Sequence, residues 1–249
     1  MKLRSLTILL SFCVLPVDTV QAQIKISFFQ DIEVFGGIGS SHYFGDIGGK
    51  QTSWHEKNKL LAVFDNLDID WEQTRVMLTA GARFTRWRNF ALSVQLSPVF
   101  LSGHDYNSDY QYRDLVFNTT VIELSTQGEY YFANRLTGVA PYGLFGVGVF
   151  YSFGSGNFDL DENNIPFKTI PYRPFHSPGV LAIVGLGLRL PAMDKMTHSF
   201  DLSYHFTSTD NLDGLKTKHN INDLFVTFSY KINVESFSLW TYDHKGLVK

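Results

Sequence analysis

The strongest constraint on this sequence is a strict alternation of apolar and polar residues that recurs in eight segments. Between Phe200 and Phe206 the even positions are apolar and the odd positions are polar, and the same period runs from Leu224 to Ile232. A period of two is typical of a β-strand whose two faces meet different environments. Eight such segments predict a membrane barrel with lipid outside and a polar lumen inside.

The connectors between the segments are alternately short and long. We predict strands over about 30–43, 72–86, 89–101, 115–133, 139–153, 177–190, 198–209 and 221–232. The short connectors are then 87–88, 133–138 and 191–197, and the long ones are 44–71, 102–114, 154–176 and 210–220. Short turns of bacterial barrels are periplasmic and long loops extracellular. The sequence therefore predicts an all-β fold, an eight-stranded antiparallel transmembrane β-barrel of the up-and-down OmpA-like type, with both termini in the periplasm of the outer membrane.

The amino-terminal residues predict export. Lys2 and Arg4 precede an apolar run, and the small residue Ala22 fits a cleavage site before Gln23, so we predict a signal peptide over 1–22. The barrel domain is predicted over 23–232 and a periplasmic tail over 233–249. The single cysteine, Cys13, falls in the signal peptide, which excludes disulfides and thiolate metal sites from the predicted mature chain. The net charge of −3 does not favour binding to negatively charged nucleic acid.

Aromatic residues gather at both predicted membrane interfaces. The outer set is Tyr43, Phe44, Phe100, Tyr151 and Phe153, and the inner set is Trp87, Phe90, Tyr130 and Phe132. Such belts are typical of membrane proteins. The competing interpretation is a soluble lipocalin-like barrel, which would have a polar exterior and an apolar lumen. Charged residues here share the face of the small polar ones, which favours the membrane interpretation.

Mid-strand charges all fall on the predicted lumen face: Glu33, Arg75, Arg83, Glu123, Glu129, Arg189, Asp201 and His205. Five of them, Glu33, Arg83, Glu129, Arg189 and Asp201, cluster near the short-turn end. Buried charges need partners, so we expect a network of both signs. Because an eight-stranded barrel is just wide enough to be filled by side chains, this network predicts a closed lumen and not a transport pore.

Three other sequence features, namely two acidic segments and the glycine runs, do not complete a cation-binding or phosphate-binding motif. Residues 159–163 open like a calcium loop, but Asn164 stands where glycine is wanted and Ile170 where a bidentate glutamate is wanted. We interpret them, and the acidic cluster of Asp65, Asp68 and Asp70, as solvated loop residues. The glycine runs at 36–39 and 143–148 lack the helix and the Lys-Ser/Thr of a phosphate loop, and we interpret them as strand positions with close neighbours.

Two alternative functions attach to named residues. Ser40 and His42 are predicted to point outward near the outer rim, where a lipid-A deacylase would need a hydroxyl and its base; no carboxylate is visibly placed to orient the histidine. A surface adhesin or receptor would instead use exposed loop aromatics, namely Trp54, Tyr106, Tyr110 and Tyr112.

Several segments resemble one family of outer-membrane proteins. They are GGIGSSHYFGDIGG at 36–49, LSGHD at 101–105, RDLVF at 113–117, IEL at 122–124, EYYF at 129–132, PYGLFGVGVFY at 141–151 and TSTDNLD at 207–213. The last is similar to a Thr-x-Thr-Asp-Tyr-Leu-Asp loop, with Asn211 in place of tyrosine. Together they resemble the Bacteroidota outer-membrane β-barrel family of the type IX secretion system subunit PorG.

The resemblance implies a non-enzymatic barrel of the type IX secretion and gliding machinery. It implies association with outer-membrane lipid and with a periplasmic ring built from a lipoprotein and its partner subunit, and it carries over no catalytic, cofactor-binding or metal residues. The tail is a candidate contact, because Phe237, Leu239, Trp240 and Tyr242 give it adhesive apolar surface.

Overall fold

Eight antiparallel strands close into a barrel. The structure is a computed structural model that describes residues 32–45, 47, 73–107, 111–133, 138–160, 165–191, 196–215 and 222–235. The strands are β1 (Ile32–Phe44), β2 (Arg75–Phe84), β3 (Phe90–His104), β4 (Val116–Tyr131), β5 (Ala140–Leu160), β6 (Pro166–Pro191), β7 (Met196–Thr207) and β8 (Leu224–Glu235). Each strand pairs with the next, and β8 pairs with β1, which confirms the predicted fold class. None of the described residues form a helix long and apolar enough to cross a membrane.

The two faces of the wall have opposite chemistry. Exposed apolar side chains alternate along every strand, among them Val34, Ile38, Val76, Leu78, Val94, Leu96, Leu124, Val147, Val149, Val184, Leu186, Leu202, Phe206, Phe228 and Ile232. Many of the intervening residues are buried and polar, for example Thr79, Gln95, Ser97, Ser125, Gln127, Ser203, Thr227 and Ser229, and the buried charged residues of the strands lie among them; apolar side chains such as Val99, Leu144 and Phe150 fill the remaining inward positions. A charge on the lipid face costs about 2–4 kcal/mol at the midplane, so this arrangement suits lipid outside. It is the reverse of a lipocalin-like barrel.

The apolar exterior has the height of a bilayer core. Cross-strand pairing places Phe90 level with Tyr130 at the short-turn end and Phe100 level with Thr120 at the long-loop end. The two levels on β4 are ten residues apart (130 − 120). At ~3.3 Å per residue and a tilt of ~40°, that is about 25 Å along the barrel axis, the height of the apolar band of outer-membrane barrels.

The third long connector differs from the prediction. Residues 154–160 and 166–176 continue β5 and β6 as a hairpin that projects beyond the rest of the wall, where the prediction had a loop over 154–176. The register shifts between Gly156 and Phe158. In this projecting hairpin (154–176), the neighbouring residues Asn157 and Phe158 are both buried at the register shift, so the strict alternation that marks the other strands is interrupted.

Prolines face the free edge of the projecting hairpin. Pairing of β6 with β7 begins at Leu181, so no strand of the described residues pairs with the earlier part of β6 on that side. Val180 shows which groups point there, because its N–H donates to the Ser208 hydroxyl and its carbonyl accepts from the Ser208 N–H. Pro174 and Pro178 lie six and two residues before Val180 in an uninterrupted register, so their backbone nitrogens face the same edge. A proline nitrogen has no hydrogen to donate. Proline at such positions discourages the addition of another strand.

Replacing Pro174 and Pro178 by threonine should restore two amide donors to this edge. We expect the purified double variant to self-associate in detergent more than the wild type, because a second copy can then add a strand. Light scattering after size-exclusion chromatography measures this. Phe167→Thr, on the same hairpin, removes apolar surface without adding an edge donor and serves as the control. An unchanged mass distribution for the proline variant would contradict the role assigned to these residues.

Candidate functional site

The candidate site is the network of charges that crosses the lumen at its short-turn end. Arg83 on β2 is fully buried; its Nε donates to Glu129 on β4 at 2.9 Å, and its Nη1 donates to Asn233 on β8 at 2.7 Å. Arg189 on β6 binds both carboxylate oxygens of Glu33 on β1, at 2.9 and 2.7 Å. Oε2 of Glu33 also lies 3.4 Å from Arg83 Nη1. The contacts of Arg83 with Glu129 and Asn233, and those of Arg189 with Glu33, join strands that are not neighbours in the ring.

A second cluster adjoins the first and completes the charge balance. Lys231 on β8 lies 2.7 Å from an oxygen of Asp201 on β7 and donates to Gln95 on β3 at 3.0 Å. The Tyr142 hydroxyl on β5 donates to the other Asp201 oxygen. The predicted five-residue cluster is therefore confirmed with one addition: Glu33, Glu129 and Asp201 face Arg83, Arg189 and Lys231, three charges of each sign. Such pairing is what charges removed from water require.

Sequence reasoning missed the aromatic residues inside the barrel. The ring of Phe35 is 5.3 Å from the Arg83 guanidinium carbon and 5.0 Å from Lys231 Nζ, within cation–π range of both. Tyr131 donates to Glu129 at 2.6 Å. Single glycines in the neighbouring strands could have indicated that large rings lie inside the barrel. A Cβ on Gly81 would lie 2.6 Å from the Phe35 ring, and a Cβ on Gly187 would overlap the ring of Tyr142.

The predicted start of the tail is also corrected. The strand β8 continues to Glu235, whereas the prediction ended it at residue 232 and began a tail at 233. Asn233 is 1% exposed, accepts from Arg83, and donates to the Thr197 carbonyl at 3.1 Å. It belongs to the lumen network, and a polar residue that continues the alternation was the signal for it. Residues 236–249, with the tail aromatics, and the predicted signal peptide over 1–22 lie outside the described residues.

A histidine lies between an acid and a hydroxyl farther up the lumen. His205 Nδ1 is 2.9 Å from Glu123 Oε2, and its Nε2 is 3.1 Å from the Thr227 hydroxyl. The order of groups is that of a hydrolytic triad. His205 is 2% exposed, Thr227 3% and Glu123 0%, and the ring of His205 is stacked on Phe225 at 4.4 Å. Because these atoms are buried away from any substrate, we interpret the cluster as part of the packed interior of the barrel.

The long-loop end of the lumen is closed by apolar side chains. Leu212 and Leu215, from the connector after β7, pack with Ile47 of the first long connector and with Phe117 of β4, and all four are 0–2% exposed. The Thr119 hydroxyl donates to the Leu212 carbonyl at 2.7 Å and thereby fixes the connector to the wall. These residues form an outer cap over the lumen.

Asp223 holds the outer cap from the other side. One of its oxygens accepts from the Tyr43 hydroxyl at 2.6 Å and the other from the Leu212 N–H at 2.6 Å. Burial raises the pKa of Asp223 well above its usual range, and the charge of nearby Asp213 raises it further. Tyr43 therefore points into the lumen mouth and is 4% exposed, which corrects its assignment to the outer aromatic belt. Phe100, Tyr151 and Phe153 are exposed as predicted.

Where the remaining candidate residues are described, they do not assemble a catalytic or metal site. Ser40 and His42 share the parity of the lipid-facing residues of β1, but the His42 ring is 8% exposed and packs edge-on against Phe44 at 4.9 Å. Asp159 pairs with Arg173 on the projecting hairpin, and 161–164 lie outside the described residues, as do Asp65, Asp68 and Asp70. Within the described ranges, no group of three or more His, Cys, Asp or Glu could hold a metal ion.

Comparisons with known proteins were made for sequence and for structure. No model of a known protein family matches this chain, and no curated protein matches it. Solved structures similar to it include Neisserial surface protein A (12% identity, TM-score 0.44, covering 83% of this chain and 97% of that one) and a major outer membrane protein from Thermus thermophilus (11% identity, TM-score 0.44, covering 81% and 99%). The outer membrane protein OprG from Pseudomonas aeruginosa is similar at 11% identity with TM-score 0.40, covering 82% and 96%.

The ring of eight strands, the apolar exterior and the paired charges inside give this chain the fold of an outer-membrane β-barrel. Its lumen is polar and is closed by side chains at both ends. A barrel of this width has no room for both a filled interior and an aqueous channel. The arrangement can therefore stabilise a rigid wall, and any function has to use the surfaces of that wall, the turns or the loops.

Removing one cation from the network should destabilise the barrel. Arg83→Ala leaves Glu129 without its guanidinium, and Arg189→Ala leaves Glu33 with only its longer contact, of 3.4 Å, to Arg83. Breaking a fully buried pair costs ~3–5 kcal/mol, and water entering the lumen reduces that cost. We expect a lower unfolding midpoint for both variants, measured by the heat-modifiable migration of the folded barrel in detergent.

The matched control is Arg173→Ala, because the Arg173 side chain is 61% exposed in its pair with Asp159. Exposed pairs contribute ~0–1 kcal/mol, so its midpoint should stay close to that of the wild type. Equal midpoints for all three variants would show that the lumen network does not hold the barrel together.

Proposed function

We propose that this protein is a non-enzymatic barrel subunit of the type IX secretion and gliding machinery, located in the outer membrane, that anchors or positions the periplasmic ring. The observation that carries the proposal is the closed lumen. A barrel sealed by six paired charges at one end and by the outer cap at the other transports nothing through its centre. Its contribution to a secretion machine is then to present surfaces to partner proteins.

The roles of the motif residues support the resemblance to the PorG family. Asp105 of the LSGHD segment is fully buried and holds Arg113 of the RDLVF segment through two contacts of 2.9 and 3.0 Å. In the TSTDNLD segment, the Thr207 hydroxyl donates to the carbonyls of Thr209 and Asp223, and Leu212 lies in the outer cap. These contacts give the motif segments defined structural roles at the long-loop end of this chain.

The surfaces available to a periplasmic ring lie at the short-turn end in the proposed orientation. Trp87, Phe132 and Val139 flank the short turns and are 49%, 63% and 56% exposed. The segment 236–249 begins at the same end, directly after β8, and contains Phe237, Leu239, Trp240 and Tyr242. Aromatic residues are over-represented among the energetically dominant contacts of protein interfaces. We assign the ring contact to this tail together with the turns.

A second candidate function is that of a surface receptor or adhesin. The projecting hairpin and the connector after β3 expose apolar side chains at the long-loop end: Tyr106 is 73% exposed, Tyr112 78% and Ile170 87%. Exposed aromatics of this kind are candidate anchors for a partner outside the cell. The other two predicted anchors, Trp54 and Tyr110, lie outside the described residues.

Truncation after Glu235 tests the proposed function. Because β8 ends there, removal of 236–249 should leave a heat-modifiable barrel in the membrane while reducing both the ring lipoprotein recovered with it and the secretion that the machinery supports. Co-purification from solubilised outer membranes gives the first readout. The control is Tyr106→Ser with Tyr112→Ser, which alters the opposite end and should leave both readouts at the wild-type level.

Two outcomes would count against this proposal. Normal ring recovery and normal secretion after truncation would remove the role of the tail. Loss of binding to a surface or host component in the tyrosine variant, with secretion unchanged in both variants, would favour the receptor function instead.

A further inference from the structure

A gap interrupts the row of aromatic side chains around the long-loop end of the barrel. In the register of the sheet, Thr120 on β4 is level with Phe100 on β3 and with Phe153 on β5. The next outward residue of β4, Asn118, is level with Ser102 and Ser155. Short side chains between large rings leave a cleft of about 810 Å³ on the outer face of the wall. That volume is within the range of ~300–1,000 Å³ typical of ligand sites.

The walls of this cleft are aromatic. Phe100 borders one side and is 40% exposed; Tyr151 and Phe153 border the other and are 48% and 47% exposed. The ring of His176 lies nearly parallel to that of Tyr151, at 6.2 Å and 21°, and so extends this second wall. The aromatic sides provide an apolar lining of the kind that an extended hydrocarbon chain can contact.

The floor of the cleft is polar. Asn118 is exposed and Thr120 is partly exposed, and in the described part of the chain neither the Asn118 amide nor the Thr120 hydroxyl has a hydrogen-bond partner. Both groups can donate, and Asn118 can also accept. Donors without partners on a lipid-facing wall are costly unless the surrounding lipid supplies acceptors.

The position of the cleft determines what covers it. It lies about 25 Å from the opposite aromatic row, at the level where the apolar band ends and polar headgroups begin. Its sides are continuous with the lipid-facing exterior: Ile122, the next outward residue of β4 toward the midplane, is an exposed apolar residue. Lipid acyl chains enter the hydrocarbon region from this level, and their carbonyl oxygens are acceptors there.

We propose that the cleft is a binding site for one acyl-ester lipid of the leaflet at the long-loop end. An acyl chain lies between Phe100 and the Tyr151–Phe153 wall, and its linking carbonyl accepts hydrogen bonds from the Asn118 amide and the Thr120 hydroxyl. The site does not depend on the secretion role, because it uses the outer wall at the end opposite to the proposed ring contact.

Native mass spectrometry of the full-length barrel in detergent tests the proposal with dioleoyl phosphatidylethanolamine as the probe. We expect the wild type to retain one lipid molecule at collision energies that remove the others. Thr120→Trp fills the cleft and should lose that molecule. Thr126→Trp is the matched control, since Thr126 is an exposed outward residue of the same strand, nearer the midplane and outside the cleft. Equal retention by Thr120→Trp and the wild type would overturn the proposal.

A second arm tests recognition of the carbonyl without adding bulk. The diether analogue of the probe lacks both ester carbonyls, so the wild type should retain the diester lipid at least several-fold better than the diether lipid. The double variant Asn118→Leu, Thr120→Val keeps the shape of the floor and should retain the two lipids equally. A wild type that does not distinguish the two lipids, or a double variant that distinguishes them as the wild type does, would contradict the hydrogen bonding proposed for Asn118 and Thr120.

Discussion

Neutralisation of Arg83 inside the barrel is the interaction on which the rest of the architecture depends. Its guanidinium is fully buried and contacts Glu129 on β4, Glu33 on β1 and Asn233 on β8. A buried charge without partners costs several kcal/mol, so these strands must bring their polar groups to one level. A slip of one residue in any of them would turn its lumen residues toward lipid. The network therefore specifies the register of the sheet as well as filling its interior.

The two ends of the lumen are closed by different physical means. The short-turn end is closed by ion pairs, of which Arg83–Glu129 and Arg189–Glu33 join non-adjacent strands. The long-loop end is closed by Leu212, Leu215 and Ile47, which fold inward from connectors. The six charged residues at the short-turn end belong to strands, so the register of the sheet fixes their positions. Apolar residues of connectors can cover the opposite mouth because a few hydrogen bonds, such as that from Tyr43 to Asp223, fix where the connectors run.

Features of the fold that follow from the alternation of residues could be predicted from the sequence. Features that depend on contacts between residues distant in the chain could not. Strand number, the inward orientation of Glu33, Arg83 and Arg189, and the closed lumen all follow from the period of two combined with the cost of charge in lipid. The inward positions of Phe35 and Tyr43 break the rule that aromatics face lipid, and they can be identified from the partners that surround them in the fold. The projecting hairpin was missed because its sequence does not alternate strictly: Asn157 and Phe158 are both buried where the register shifts.

Single-channel recording of the wild-type protein in planar lipid bilayers tests the closed lumen most directly. With six paired charges across one end and the outer cap across the other, we expect insertion of the folded protein to produce no steady ion current under an applied voltage. Steady, large conductance from the wild type would contradict the filled lumen, and with it the conclusion that this barrel acts through its surfaces.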